Sequence, residues 1–155
     1  MPPRVKAFSN YHSARLAVNE VRRKGSDWPI FLNARGKVAE GPASCILVVR
    51  NGTVVTPTIS SGLLESITRD TILHLLKERF QLPVVEREVD RTELYLADEL
   101  FFIGTAWEVL PISEVDSLAV ADGGIGHVTR EIARAYHDLV RGIDRSHSDW
   151  RTSVY

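Results

Sequence analysis

Lys6, Glu40, the run Ser66-Ile67-Thr68-Arg69 and the run Gly104-Thr105-Ala106 are the residues whose types and order could do chemistry together. A lysine amine attacks an aldehyde when burial depresses its pKa. A fixed carboxylate against a pyridine nitrogen keeps that nitrogen protonated and makes the ring an electron sink. Unpaired amides at a helix N-terminus, helped by the Thr68 hydroxyl, hold a phosphate. Small residues between two strands let backbone approach a ligand closely, and Thr105 adds a second hydroxyl. Tyr11, just after Asn10, could donate to a phenolate oxygen. An amine, an acid and two phosphate-sized turns are the parts needed to hold pyridoxal phosphate and use it.

Each residue alone has a plainer reading. A lysine near an N-terminus is normally solvated, and an acid before Gly41-Pro42 at a strand end faces water. Ser66 is a good helix cap, and Thr105 suits a tight turn. Only order and spacing together favour the chemical reading. Other chemistries find less support. His12, His74, His127, His137 and His147 make no HxxxH pair and have no cysteine at zinc spacing, so no metal site is expected. Gly124-Ile125-Gly126 lacks the third glycine of a dinucleotide fingerprint, and no GxSxG occurs. Cys45 reads as a small core residue within a strand.

The elements that must position these residues follow from periodicity and punctuation. Residues 11–24 read as a helix stopped by Gly25. Trp28 to Asn33 is a short apolar run that turns at Ala34-Arg35-Gly36 into Lys37 to Glu40. Cys45–Arg50 and Thr53–Thr56 flank Asn51-Gly52, a strong hairpin signal. A second helix spans about 67–80, with Ile67, Ile72, Leu75, Leu76 and Phe80 on its buried side. Val84–Val89 is a strand, and Asp90-Arg91-Thr92-Glu93 is a capping box opening a short helix to about Ala97. Glu99–Thr105 and Glu108–Ile112 are strands around a small-residue turn. Gly123, Gly124 and Gly126 form a loop before a helix over 128–142. The polar tail from Asp144 docks through Trp150 and Tyr155. The expected fold class is α/β, a mixed sheet curling into a partial barrel with flanking helices.

Bulk properties narrow the partners. At 155 residues the chain is expected to be a single domain, 1–155, with 44% hydrophobic and 25% charged residues, as in ordinary globular proteins. A net charge of -1 offers no broad basic field for nucleic acid or an anionic membrane. A single cysteine excludes an internal disulfide and suits a reducing compartment. No apolar run could span a bilayer, and Met1-Pro2-Pro3-Arg4 has no signal-like stretch behind it. A cytoplasmic protein is expected.

A set of motifs then becomes recognisable. They are Arg4-Val5-Lys6 with Asn10-Tyr11, Val38-Ala39-Glu40-Gly41, Thr56-Pro57, and Ile67-Thr68-Arg69. Glu93-Leu94 with Ala97-Asp98-Glu99, Gly104-Thr105-Ala106 with Pro111, and Gly126-His127-Val128-Thr129 follow in order. From about Pro3 onward the chain resembles the second half of the class IV, fold type IV pyridoxal-phosphate aminotransferases, most of all the branched-chain amino acid aminotransferases. The resemblance implies that Lys6 condenses with the cofactor aldehyde and moves the proton between substrate Cα and cofactor carbon. It implies Glu40 at the pyridine nitrogen and Tyr11 at the phenolic oxygen. The Ile67 amide, Thr68 and Thr105 would hold the phosphate, and Thr105 and Ala106 would border the substrate, Ala106 at its carboxylate.

The implied reaction moves an amino group between a branched-chain or other hydrophobic amino acid and 2-oxoglutarate. D-amino acid and (R)-amine transaminases and aminodeoxychorismate lyase share the cofactor chemistry and are the nearest rivals. Cys45 stands where relatives often carry Asn, and Ser66 where many carry Gly. The family's preceding domain, which supplies an arginine to the phosphate and one pocket wall, is absent from this sequence. The implied partners are therefore the amino and oxo acid substrates, further copies of the chain, or a separate first domain. Failing such pairing, the chain would be an inactive domain acting only through association.

Overall fold

The structure, a computed structural model, describes residues 2–152 and Val154. Met1, and the Tyr155 expected to dock beside Trp150, lie outside them.

Asn51 and Gly52 both adopt positive φ, 49° and 72°, which matches the twist of a two-residue hairpin. They join β1 (Cys45–Arg50) to β2 (Thr53–Thr56) in antiparallel register, with Val48 opposite Val55. Helix α2 (Ile67–Glu78) then crosses over to β3 (Val84–Glu86), which runs parallel to β2. A parallel neighbour demands such a crossover. On the other side of β1 lie β4 (Glu99–Gly104) and β5 (Glu108–Ile112), both antiparallel. The order is β3-β2-β1-β4-β5, a mixed sheet.

Alternation along β1 divides the core. Cys45, Leu47 and Val49 join Phe101 and Ile103 of β4 under α2 and α3 (His127–Val140). Ile72, Leu75 and Leu76 of α2, and Ile132 and Leu139 of α3, are the helical side of that layer. Ile46, Val48, Leu100 and Phe102 face the other way and pack with Val38, Val89 and Leu94. Beyond β3 the ladder continues, because Val38 N–H donates to Val89 O at 2.9 Å. Lys37 bridges Asp90, and Leu32 bridges Val38. The sheet thus curls over its own second face without closing, the partial barrel expected.

Several boundaries move. Helix α1 is Tyr11–Arg23, and β3 stops at Glu86 rather than Val89. Ile67 is not on the buried side of α2; it is 88% exposed, because the first helical residue points off the end of the layer. Leu73 is buried in its place, and Phe80 lies past the helix end, half-buried. A two-residue ribbon, β6 (Glu114–Val115) and β7 (Leu118–Ala119), is too short to leave a period and has no counterpart among the expected elements. Trp150 docks as expected, stacked on His147 with ring centroids 4.2 Å apart. Among the described residues no helix is long and apolar enough to cross a membrane.

Candidate active site

Two loops, 40–44 and 62–66, carry the middle of the candidate site. Glu40 is fixed at its backbone, where Phe31 N–H donates to its carbonyl at 2.8 Å. Its half-buried carboxylate accepts the Leu64 N–H at 3.1 Å. Burial pushes this carboxyl above its ordinary range, opposed by the Leu64 hydrogen bond. Among the described residues no lysine or arginine pairs with it. A half-buried acid without a cation is the environment that a protonated nitrogen would relieve.

After Glu40 the chain makes a tight turn. Gly41 N–H donates to Ser44 O at 2.8 Å, and Ala43 sits at φ 88°. A side chain at Gly41 would strike Ser44 Oγ and the Phe102 ring. Gly104, at the end of β4, packs on this turn; a Cβ there would stand 3.0 Å from Ala43 O. Thr105 and Ala106, both exposed, therefore emerge beside the residues that follow Glu40.

The second loop leads into α2. Ser66 takes an extended φ of -103°, allowed for any residue, and its Oγ accepts Arg69 N–H at 3.3 Å. The plain capping reading of Ser66 holds, at roughly 1 kcal/mol of helix stability. Among the described residues the Ile67 and Thr68 N–H groups find no acceptor, which leaves them available to an anion. Thr68 is buried.

Lys6 is reached through the same loop. The Arg4 guanidinium pairs with the Glu65 carboxylate, and a Cβ on Gly62 would lie 4.0 Å from Pro3 Cγ. Asn10 Nδ2 donates to Val5 O at 2.9 Å and to Pro2 O at 3.2 Å, folding the segment on itself. The Lys6 side chain is nonetheless exposed, and α1 buries no residue at all. Among the described residues Lys6 thus lacks the burial expected of it, its segment being held by local bonds and one ion pair. Tyr11 is half-buried at the start of α1, with no hydrogen bond to the other candidates among the described residues. Glu40, the α2 N-terminus and the Gly104-Thr105-Ala106 turn converge; Lys6 borders them on a surface segment.

One residue, Leu64, escapes the sequence reading, and Arg69, read there only as part of a motif, has a place it did not foresee. Leu64 ties Glu40 through its amide and Cys45 through its carbonyl, which accepts from Sγ at 3.7 Å. Both contacts are backbone, so no side-chain signal announces them. Arg69 is buried, donating to Pro57 O at 3.0 Å and Glu86 Oε2 at 2.8 Å. Cys45 is core, as expected, and burial pushes its thiol up to about 12, with Glu40 adding to the shift and Arg69 opposing it. A cleft of about 530 Å³ opens elsewhere, between Trp28, Phe102 and Leu110, and contains none of the predicted residues. Of the ionic groups that line it, Arg91 and Asp116 pair with each other at 2.8 Å, beside Asp27 and Glu114.

An α/β domain whose half-buried acid, unpaired helix amides and close-packed glycine turn meet on two loops defines the class. Residues 1–115 match the amino-transferase class IV family, and the chain belongs to that family. It is 39% identical to a probable branched-chain-amino-acid aminotransferase of Aquifex aeolicus, over all of this chain and 50% of that protein. Among solved structures, branched-chain amino acid aminotransferase from Thermobaculum terrenum in its PLP-form superposes at TM-score 0.95, with 48% identity. That match covers 98% of this chain and 50% of the other. A T.th. branched-chain amino acid aminotransferase, complexed with N-(5'-phosphopyridoxyl)-L-glutamate, is 34% identical at TM-score 0.95. It is matched over 100% of this chain and 52% of that one. The chain spans about half the length of the relatives it matches.

Proposed function

We propose that this chain is the cofactor-bearing half of a pyridoxal-phosphate transaminase acting between a branched-chain or other hydrophobic amino acid and 2-oxoglutarate. The observation that carries the reading is Glu40, half-buried and without a cation among the described residues, held by the loop that also caps α2. The donor set fits the cofactor: an acid for a ring nitrogen, amides and hydroxyls for a phosphate, and an amine for an aldehyde. The names of the relatives support the branched-chain donor. The phosphopyridoxyl-glutamate bound to one structural neighbour supports the 2-oxoglutarate acceptor.

In this reading the Ile67 amide, Thr68 and Thr105 hold the phosphate. Glu40 places a fixed negative charge at the pyridine nitrogen, and its burial strengthens that charge's field. When bound, pyridoxal phosphate supplies a ring that withdraws electrons from the substrate Cα. Tyr11 donates to the phenolic oxygen and so orients the ring. Lys6 Nζ would hold the cofactor through its aldehyde carbon and, once the substrate amine has displaced it, would be the free amine that carries the proton leaving substrate Cα. The Ala106 backbone orients the substrate carboxylate. Lys6 gains the burial this role requires only when a further surface covers its segment. The preceding half of the relatives' length is the natural source of that surface, of water exclusion and of a second pocket wall.

The test is to add pyridoxal phosphate and record the visible band of a lysine-bound cofactor, with Lys6→Ala as control. The expected result is a band lost in the variant, with turnover appearing when the other half is supplied. No band in either protein, with or without that half, overturns the proposal.

A further inference from the structure

His74 and Glu78 on the C-terminal half of α2, and His147 of the tail, lie away from the candidate active site at that helix's N-terminus. We propose that they form a binding site for a borderline divalent transition ion of the zinc type, clipping the C-terminal tail onto α2. His74 and Glu78 are four residues apart, on one face of the helix, and His74 Nε2 lies 2.7 Å from Glu78 Oε2. His147 comes from the tail, with Nε2 3.9 Å from the same oxygen. The three donor atoms all fall within 4.8 Å of one another. Metal–ligand bonds of about 2.0–2.2 Å for His N and carboxylate O put donors roughly 3–3.5 Å apart around one ion. Shifts of about an ångström by half-exposed side chains would complete that geometry.

The surroundings hold the third ligand in place. His147 adopts φ 52°, ψ 40°, a left-handed conformation in which histidine is enriched. Just before it, Asp144 pairs with Arg79 at 2.8 Å and accepts Ser146 N–H at 2.8 Å. Trp150 stacks on the His147 ring and meets His74 edge-on at 5.0 Å. Both imidazoles are thus braced by one indole, which limits the freedom lost on binding an ion. Two imidazoles and one carboxylate select zinc-like ions over the all-oxygen preference of calcium and magnesium. Three protein donors leave a position open to water or a further ligand. The spacing of the histidines hides this site, because one donor is a carboxylate and another lies beyond α3.

The test uses the chain freed of any affinity tag and titrates Co²⁺ as a spectroscopic probe, then Zn²⁺ in competition. Saturable one-to-one binding, displaced by Zn²⁺ and accompanied by a rise in melting temperature, is expected. His147→Asn, which tolerates the same backbone conformation, and His74→Gln should each weaken Co²⁺ binding about tenfold or more. His137→Gln, on α3 outside the cluster, should leave it unchanged. No saturable binding, or equal binding in the His74→Gln/His147→Asn double variant, overturns the proposal. Circular dichroism of each variant separates lost ligation from lost folding.

Discussion

The Glu40 carboxylate is held by the backbone N–H of Leu64 at 3.1 Å, and no side-chain cation shares it among the described residues. One hydrogen bond from a neutral amide does not offset the burial of a charge, which is why the carboxyl is raised.

Glu40→Gln should therefore stabilise the chain in the absence of cofactor while weakening cofactor binding. The amide oxygen can still accept from Leu64, and the buried charge is removed. A carboxyl raised in the folded state binds its proton more tightly there than when unfolded. Ionisation thus opposes folding as pH climbs from the unfolded value, near 4.5, through the folded one. The gain in melting temperature from the substitution should be larger at pH 7 than in acid and gone well below pH 4.5. A gain that grew on acidification would contradict the assignment.

Cys45 should be inert in the folded chain. With its thiol at about 12, the thiolate fraction at pH 8 is roughly one part in ten thousand. Burial in the core adds a steric barrier. Iodoacetamide at pH 8 should label Cys45 only after urea is added, as read by intact mass. Rapid labelling of native protein would show that the 62–66 loop opens readily.

Gly41→Ala should destabilise the chain by about 1–3 kcal/mol, measured by urea denaturation. The new methyl group would meet Ser44 Oγ and the Phe102 ring, with Phe102 Cε1 2.6 Å away. Neither neighbour is the loose end of a flexible chain. Because the same turn receives Gly104, the substitution should also lower cofactor affinity more than an equally destabilising change in α3.

Much of this arrangement is legible in the residues themselves, for reasons that differ by element. The hairpin at Asn51-Gly52 is readable because few residue pairs tolerate two positive φ angles. The start of α2 is readable because Ser66 caps it. Ile67 is expected in the core and found outside it because helical periodicity says nothing about where the first turn meets the sheet. The site is legible as an order of side chains, and the structure joins Glu40, α2 and Gly104 through loops. What joins them, the Leu64 amide and carbonyl, carries no residue-specific signal. Lys6 is expected to be buried and is found exposed, because its short segment is held by local bonds that cover no side chain there.

Glu99 offers a last prediction, on the helix end that resembles an anion site without acting as one. Its carboxylate accepts Val128 N–H at 2.9 Å, Thr129 N–H at 2.7 Å and the Thr129 hydroxyl at 2.7 Å. The acid from β4 thereby caps α3 and neutralises its N-terminal dipole. Gly126 admits this carboxylate, since a Cβ there would fall on the Glu99 side chain. Glu99→Ala should lose about 2 kcal/mol in urea denaturation, with Glu99→Gln losing less because one acceptor remains. Gly126→Ala should show a comparable loss, and the two Ala changes together should cost less than their sum, since both act on one contact. Added phosphate should restore part of the stability of Glu99→Ala and none of the parent's, because only the variant leaves those amides free. Strict additivity would mean that Gly126 and Glu99 act on α3 separately.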